Sequence, residues 1–379
     1  MLPENSTVHF VAGFLGSGKT TAIVNACREL MNRGVRPAVV TNDQGRHQVD
    51  HAFVSAFDIP ATAVANGCLC CRYDDFEEQV LALAKDQQPQ IIFAESVGSC
   101  ADVVATVVKP FESFRGTHQS AGILTTFVDS RFLEARLDGR GLPFSENVSY
   151  IFDKQIEEAE VLVLNKQDLF TKERMDELLK RATVAFSEQD ILTMSATESR
   201  GIDAWLHTIK TRMVDRKRAR RHLRTIDYGT YGRAEAMLAW LDVRLTLVSA
   251  NGSGRTAVGS LISGMIAELD ARGVPSGHVK VFLSARSGAT TKMSFTAADL
   301  AEYSPTRNPH DVIRAQLPHS IDLPAELMIN ARVESSPIEL NAVFKGAVRE
   351  LQMAENAVIK IRSSDAFVPG YPKPLHRFT

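Results

Sequence analysis

The sequence predicts an α/β fold, a mostly parallel sheet wrapped by helices, followed by a smaller C-terminal α+β domain. Short apolar runs rich in β-branched residues alternate with longer amphipathic segments over the first part of the chain. Several runs are apolar at nearly every position, which is typical of strands covered on both faces. The length of 379 residues exceeds what one hydrophobic core usually organises, so we expect two domains.

The alternating pattern places the elements of the first domain, which we assign to residues 1–215. The predicted strands are VHFVAGF, RPAVVTN, QIIFAES, ILTTFVD, EVLVLNK and DILTMSA. The predicted helices, each with a helical period, are KTTAIVNACRELMNRG, YDDFEEQVLALAKD, TKERMDELLKRATVAF and GIDAWLHTIKTRM.

A basic run and a turn-rich stretch predict a linker at residues 216–235 and a second domain at 236–379. The basic residues are Arg216, Lys217, Arg218, Arg220, Arg221 and Arg224, and the turn-rich stretch is TIDYGTYGR. Beyond it we predict, in order, strand AMLAWLDVRLTLV, helix RTAVGSLISGMIAELDARG, strands HVKVFLSA, TKMSFTA and ELMINARVE, and helix IELNAVFKGAVREL. The last stretch, DAFVPGYPKPLHRFT, reads as an irregular tail.

Composition excludes several functional classes. Hydrophobic residues make up 44% and charged residues 23%, the proportions of an ordinary globular protein. A net charge of −2 gives no overall field for a polyanion, so we predict no nucleic-acid partner, and the basic run is more typical of a solvated helix face. No apolar stretch approaches the roughly 18 residues of a membrane span, and we read no basic apolar leader, so we expect a cytoplasmic protein.

A glycine-rich motif follows the first predicted strand and precedes a helix. Glycines let the backbone N–H groups converge on one phosphate, and the following helix adds its positive dipole end. Lys19 is expected to reach the β- and γ-phosphates, and the Thr20 hydroxyl to bind magnesium. The predicted phosphate-binding residues are Gly13, Gly16, Ser17, Gly18, Lys19, Thr20 and Thr21.

Asn165, Lys166 and Asp168 end a predicted strand, where a guanine-reading loop would stand. The Asp168 carboxylate can accept hydrogen bonds from guanine N1 and its exocyclic amine, which adenine does not offer in that arrangement, so GTP and GDP are the expected ligands. Ser195 and Ala196 close the next strand and fit a further base-contacting loop.

Two acidic residues at strand ends complete the predicted nucleotide machinery. Glu95 precedes Gly98 by three residues, the spacing at which an acid organises the magnesium shell and a glycine N–H senses the γ-phosphate. Asp43 lies where a first switch would stand and could contact magnesium or position water, although a simple turn is nearly as common there. Lys19, Glu95 and Asp43 are the candidate catalytic residues.

Cys68, Cys70 and Cys71 place three thiols within four residues. Thiolates bind borderline-soft ions, and a compact turn lets such sulfurs converge on one zinc or cobalt ion with a position left open. Buried structural thiols and a redox pair are the alternatives. Cys100 is a candidate fourth ligand, although a packed helix-start cysteine is the more common case, and Cys27 falls in a core position of the first helix.

GFLGSGKTT, NGCLCC, the glutamate-type third motif and LNKQDL, in this order, resemble the CobW-like P-loop GTPases, kin of the urease and hydrogenase nickel-insertion GTPases. The resemblance covers about residues 7–213. It implies GTP hydrolysis coupled to a metal site at Cys68, Cys70 and Cys71, and a client metalloprotein that could be corrinoid-related. It also allows a homodimer.

The chain departs from the family pattern in three places. ETTGLADP is ESVGSCADV here, NEFGE is NDQGR, and histidine-rich metal loops are missing. The expected function is therefore a GTP-driven metallochaperone whose ion and client stay open. The rival functions are an assembly or reactivation factor with a structural cysteine site, and a small-molecule kinase, which the guanine motif disfavours.

Overall fold

The computed structural model describes residues 6–115, 121–214, 225–299 and 309–378. The chain forms two compact units, the first from residues 1–44, 54–232 and 372–379, the second from residues 45–53 and 233–371. The basic run of the predicted linker lies outside the described residues. Residues 372–379, expected to be an irregular tail, group with the first unit.

The first unit is built on a parallel sheet. Its strands in the described residues are β1 (Thr7–Gly13), β2 (Pro37–Asp43), β3 (Ala61–Ala65), β4 (Ile91–Glu95), β5 (Ala121–Asp129), β6 (Val161–Asn165) and β7 (Asp190–Thr193). Their order is β3-β2-β4-β1-β5-β6-β7, and every pairing is parallel. The predicted α/β fold class is confirmed. β3 was missed because its sequence, ATAVA, is short, small and only partly buried.

Helices connect these strands in sequence. They are α1 (Lys19–Asn32), α2 (Val49–Ser55), α3 (Tyr73–Gln87), α4 (Lys109–Arg115), α5 (Ser130–Leu137), α6 (Glu146–Glu157), α7 (Lys172–Ala185), α8 (Ile202–Val214) and α9 (Tyr228–Met237). A π-helix, Val104–Val108, precedes α4. The turn-rich reading of TIDYGTYGR was wrong from Tyr228 onward, where α9 begins despite two glycines because Tyr231 and Ala234 on one of its faces are buried.

The second unit carries an antiparallel sheet, as predicted for an α+β domain. Its elements are β8 (Leu238–Ser249), α10 (Gly254–Ala271), β9 (Ser276–Ser284), β10 (Thr290–Phe295), α11 (Pro309–Gln316), β11 (Ala325–Glu334), α12 (Pro337–Glu355) and β12 (Val358–Phe367). The strand order is β10-β9-β11-β8-β12. The apolar faces of α10 and α12 share one core with the inward side chains of the sheet. β12 was missed because it is a largely exposed edge strand whose second half is polar.

Within the described ranges, no helix is both long enough and apolar enough to cross a bilayer.

Candidate nucleotide and metal site

The carboxyl ends of the parallel strands bring the predicted nucleotide residues to one edge of the sheet. Gly13 ends β1, Asp43 ends β2, Glu95 ends β4 and Asn165 ends β6. In open α/β sheets this edge is where ligands bind. The predicted cysteines follow β3 at the same edge.

The phosphate loop has the backbone that its glycines predict. Gly13 has φ 135°, and a Cβ there would collide with the main chain of Phe127 on β5, so only glycine fits. The buried Lys19 donates from Nζ to the carbonyl oxygens of Gly13 at 2.7 Å and Phe14 at 3.4 Å, which holds its charge within the loop. Gly16, Ser17 and Gly18 complete the loop, and Thr21 lies half-buried in the first turn of α1.

Thr20 and Glu95 meet where the magnesium site was predicted. The Thr20 hydroxyl donates to Glu95 Oε1 at 2.9 Å, and both side chains are buried. A hydroxyl and a carboxylate are hard oxygen donors, the ligand type that magnesium prefers. Asp43 is also buried, as the last residue of β2.

Asn165 links the phosphate loop to the two segments that were predicted to contact the base. Its Nδ2 donates to Ser17 O at 2.7 Å, and its Oδ1 accepts from the Ala196 N–H at 3.0 Å. Asp168, three residues on, carries a buried oxygen, Oδ1, that receives no hydrogen bond from the described part of the chain. An orphan acceptor at this position fits the donors of a guanine ring. Ser195 is fully buried and hydrogen-bonds its hydroxyl to Thr197.

Asp129 is a residue of this region that the motif search missed. It ends β5 and binds Lys166 at 2.8 Å and Arg131 at 2.7 Å. Burial by itself would raise the pKa of Asp129, but attraction by the two cations outweighs burial and lowers it. The sequence feature that could have identified Asp129 is its position as an acid at the end of the predicted strand ILTTFVD. Asp129 fixes Lys166, which has a left-handed φ of 65°, beside the base loop.

The cysteine loop brings three thiols together as predicted. The Sγ atoms of Cys68, Cys70 and Cys71 all lie within 4.8 Å of one another. Cys68 and Cys70 are 2.9 Å apart and Cys70 and Cys71 are 3.8 Å apart. Zinc–sulfur bonds of about 2.3 Å in a tetrahedron put neighbouring sulfurs about 3.8 Å apart, so the three thiols suit one zinc-sized ion after a small separation of the closest pair.

Cys100 lies beside this cluster, outside the set of three mutually close thiols. Its thiol hydrogen-bonds with those of Cys68 and Cys70, and these bonds are the largest influence on both, lowering the pKa of Cys68 and raising that of Cys70. Hydrogen bonding to Cys68 is the first cause that raises the pKa of Cys71, to about 11. Cys27 is buried in α1 and is a core residue, as predicted.

Asn42, next to Asp43, holds the cysteine loop from one side. Its Nδ2 donates to Gly67 O at 2.7 Å, and its Oδ1 accepts from the Leu69 N–H at 3.1 Å. The second switch segment holds the loop from the other side, because it runs from Gly98 to Cys100. A Cβ on Gly98 would lie 3.0 Å from the Cα of Leu15 in the phosphate loop, so Gly98 packs directly on that loop.

Comparison with known proteins identifies the domain that carries these sites. Residues 7–193 match the family model of the CobW/HypB/UreG nucleotide-binding domain. The nucleotide-binding domain belongs to this family. The CobW-like resemblance read from the motifs is thereby confirmed.

Two curated relatives and one solved structure are similar to this chain. Zinc-regulated GTPase metalloprotein activator 1 of Dictyostelium discoideum is 28% identical over 202 residues, 45% of this chain and 42% of that protein. Zinc chaperone CobW of Sinorhizobium sp is 27% identical over 180 residues, 42% of this chain and 50% of that protein. HypB of Helicobacter pylori, solved in complex with nickel, aligns with a TM-score of 0.41 at 14% identity, over 59% of this chain and 93% of that one. The chain spans about half the length of the curated relatives it matches.

Proposed function

We propose that this protein binds and hydrolyses GTP and uses the nucleotide state to control a metal site at Cys68, Cys70 and Cys71, from which zinc or cobalt passes to a client metalloprotein. The observation that carries the proposal is that the cysteine loop is held from two sides by chain segments of the nucleotide site. Asn42 binds the loop next to Asp43, and Cys100 contacts its thiols two residues after Gly98.

The geometry supports a nucleotide role for each of the predicted residues. Lys19 and the phosphate-loop amides would hold the phosphates, Thr20 and Glu95 would hold magnesium, and Asp168 would select guanine. Magnesium bound there would neutralise charge that develops on the phosphates during hydrolysis. Asp43 stands at the switch next to Asn42, so a movement of Asp43 toward the nucleotide shifts the anchor of the cysteine loop.

The predicted second switch, the turn from Gly98 to Cys100, links the nucleotide site to the cysteine loop from the other side. Gln155 Nε2 donates to Gly98 O at 3.0 Å and to Cys100 O at 2.7 Å, so one side chain holds both ends of the Gly98–Cys100 turn. When the γ-phosphate attracts the Gly98 N–H, Cys100 has to follow. The cysteine site therefore cannot keep one geometry through both nucleotide states.

The second unit is proposed to dock the client. Among the described residues, one group of side chains could hold a metal ion, the cysteine loop of the first unit, and a docking role for the second unit requires no metal site of its own. The client class stays a metalloprotein, and a corrinoid-related client and a homodimer stay proposals. Free cysteines throughout suit a reducing, cytoplasmic compartment.

A metal titration tests the coupling. Zinc or cobalt is titrated into the GTP-analogue and GDP forms in competition with a chromophoric chelator. Coupling of about 1 to 3 kcal/mol would separate the two affinities by roughly 5- to 150-fold, and nucleotide affinity must change by the same factor when metal binds. Cys70→Ser with Cys71→Ser should abolish this difference and leave GTP binding intact, whereas the core control Cys27→Ala should keep it. Equal metal affinities in both forms, with metal removal unfolding the domain, would make the cysteine site structural.

A further inference from the structure

Cys100 occupies a position that the three-cysteine motif does not explain. Its side chain is 3% exposed, and its thiol contacts the two most buried thiols of the loop, Cys68 and Cys70. Cys71, by contrast, is half-buried at the outer side of the loop. Structural zinc sites take four ligands, and three cysteines alone leave one position open.

The backbone around Cys100 fixes its approach to the cluster. Its N–H donates to Val97 O at 2.9 Å, and its carbonyl accepts the Gln155 amide at 2.7 Å. Gln155 lies on α6, which also packs Phe152 against Phe14 of the phosphate loop, with ring centroids 5.7 Å apart. The thiol is thus carried by a turn that both the phosphate loop and α6 hold in place.

We propose that Cys100 is the fourth thiolate of the metal site, and that the nucleotide state decides whether the ion has four protein ligands or three. This inference rests on the proposed function. With four thiolates the ion is closed to exchange. When the Gly98–Cys100 turn withdraws Cys100, one position opens and the ion can pass to a stronger ligand set on the client.

Cobalt substitution tests the ligand number. Cobalt is added under reducing conditions to the full chain in its GTP-analogue form and in its GDP form. Thiolate-to-cobalt charge-transfer absorption and X-ray absorption report the sulfur count, which should be four in one form and three in the other, and an equal count in both forms would overturn the nucleotide dependence. Cys100→Ser should lower the count from four to three and weaken zinc affinity on the order of 10- to 100-fold, with GTP affinity unchanged. Cys27→Ser is the control for loss of a buried thiol outside the cluster.

The outcomes separate this inference from the proposed function. If Cys100→Ser keeps the spectrum and the zinc affinity of the parent while Cys70→Ser loses both, Cys100 is a packing residue and the three-cysteine site stands. If Cys70→Ser also keeps them, the metal site itself is wrong. Because serine could disturb the packing, the unfolding temperature of each metal-free variant is measured beside the spectra, and Cys100→Ala serves as a second variant.

A different set of contacts concerns Pro372–Phe378, which we call the closing segment. The Lys373 N–H donates to Cys71 Sγ at 3.2 Å, and the Leu375 N–H donates to Cys70 O at 3.1 Å. The Phe378 N–H donates to Ala105 O at 2.9 Å. The segment therefore runs along the cysteine loop and binds one of its sulfurs directly.

Two side chains anchor the closing segment beside the cluster. Arg377 Nε donates to the buried Asp102 carboxylate at 2.7 Å, and the same carboxylate oxygen accepts the Tyr228 hydroxyl at 2.8 Å. The His376 ring stacks edge-on against Tyr73 and Phe114, with centroids 5.1 Å and 4.7 Å apart. Asp102 lies two residues after Cys100 and has a strained left-handed φ of 64°.

We infer that the closing segment covers the cysteine metal site and must release before metal enters or leaves. An N–H donated to a ligand sulfur also tunes the ion, as outer hydrogen bonds do in metal sites. Loss of the Arg377 and His376 anchors should accelerate both loading and release while the nucleotide site, which the segment does not contact in the described residues, stays unchanged.

Stopped-flow transfer of zinc to a chromophoric chelator measures the rate. Arg377→Ala with His376→Ala in the full chain should raise the release rate at least tenfold and leave GTP affinity unchanged. Lys373→Pro removes the N–H bound to Cys71, and Lys373→Ala is its matched control because it keeps that N–H. Equal release rates in the anchor variant and the parent, with hydrogen exchange showing the segment already detached in the variant, would overturn the inference. If the release rates are equal and the segment is still attached, the Lys373→Pro variant decides. A release rate of Lys373→Pro equal to that of Lys373→Ala would overturn the inference as well.

Discussion

Asp168 holds a buried carboxylate oxygen, Oδ1, that receives no hydrogen bond from any residue the structure describes. A buried acceptor without a donor costs about 1 to 3 kcal/mol, which a guanine ring would recover. We therefore propose that guanine selection rests on this one side chain, set in a loop that Asn165 and Lys166 position.

Asp168→Asn is predicted to shift nucleotide preference from guanine toward xanthine, because the amide replaces an acceptor with a donor. Loss of GTP affinity should be about 10- to 100-fold, the equivalent of one unsatisfied buried pair. Competition binding of GTP, XTP and ATP measures it, and Asp176→Asn on the exposed face of α7 is the control. Displacement of GTP by ATP with equal affinity in the parent would remove the guanine assignment.

Glu158 is a second informative residue, at the end of α6 behind the switch turn. Burial, together with repulsion from Asp102, raises the pKa of Glu158 to about 8, although Oε2 accepts the Val104 N–H at 3.2 Å. The folded chain thus keeps Glu158 protonated, while the unfolded chain ionises it near pH 4.5. Its favourable contribution to folding is complete below that pH and decreases as the pH rises to about 8.

Glu158→Gln is predicted to flatten the pH dependence of stability between pH 4.5 and 8, because the amide cannot ionise. At pH 8 the variant should be more stable than the parent by about 1 to 3 kcal/mol, and near pH 4.5 the two should be similar. Urea unfolding at both pH values measures this, with the exposed Glu177→Gln as control. A parent whose stability does not fall over this range would show that Glu158 is ionised in the folded state.

At the scale of elements, most of α2 belongs to the second unit, although it follows the predicted first switch at Asp43. Asp50 on α2 accepts from Lys280 of β9 and from Lys292 of β10, each at 2.6 Å, and all three groups belong to the second unit. Burial by itself would raise the pKa of Asp50, but attraction by the two lysines outweighs burial and lowers it well below its usual range. The segment between β2 and β3 is therefore fixed to the second sheet by charge.

Asp50→Asn is predicted to destabilise the second unit by about 3 to 5 kcal/mol at neutral pH, because two lysines in a poorly hydrated site lose their carboxylate. The lowered pKa means that the ion pairs stabilise the fold above pH 4 and are lost as the pH falls through the folded-state pKa, so the stability difference between parent and variant should narrow as the pH falls below 4. Chemical unfolding at pH 7 and pH 3 tests it. Lys360→Met, an exposed lysine of β12, is the control, and equal stability of Asp50→Asn and the parent at pH 7 would contradict the ion-pair argument.

At the scale of the whole molecule, the first unit includes residues that follow its parallel sheet in the sequence, among them residues 372–379. The hydroxyl of Tyr231 accepts the Ala101 N–H at 3.2 Å, and Tyr228 and Arg377 bind Asp102. These contacts lie beside the cysteine cluster, and none of them involves a residue of the phosphate loop or the predicted base-contacting loops.

A chain ending near residue 213 is predicted to keep GTP affinity and to bind zinc at least tenfold more weakly. The phosphate and guanine residues all precede that point, whereas the partners of Asp102 and Cys71 follow it. Nucleotide and chelator-competition titrations measure the two affinities, with the full chain as reference. An insoluble product, or one that fails to bind nucleotide, would show that the two units fold as one cooperative body.

The sequence by itself determined the nucleotide half of the protein. Glycines that must adopt φ above zero, a lysine six residues after the first of them and an asparagine at a strand end are local requirements, so spacing along the chain displays them directly. The parallel strands were equally legible, because burial on both faces leaves a continuous apolar run.

Only the tertiary structure decided which distant residues contact the cysteine loop. Cys100 and Lys373 reach the cysteine loop from 29 and 302 residues beyond Cys71, and Asn42 from 26 residues before Cys68. β12 and α9 were also not predicted, since an exposed edge strand and a glycine-containing helix are stabilised by the surfaces against which they pack. Contacts between residues far apart in sequence follow from how the sheet folds the chain back on itself, and no periodicity or local spacing records them.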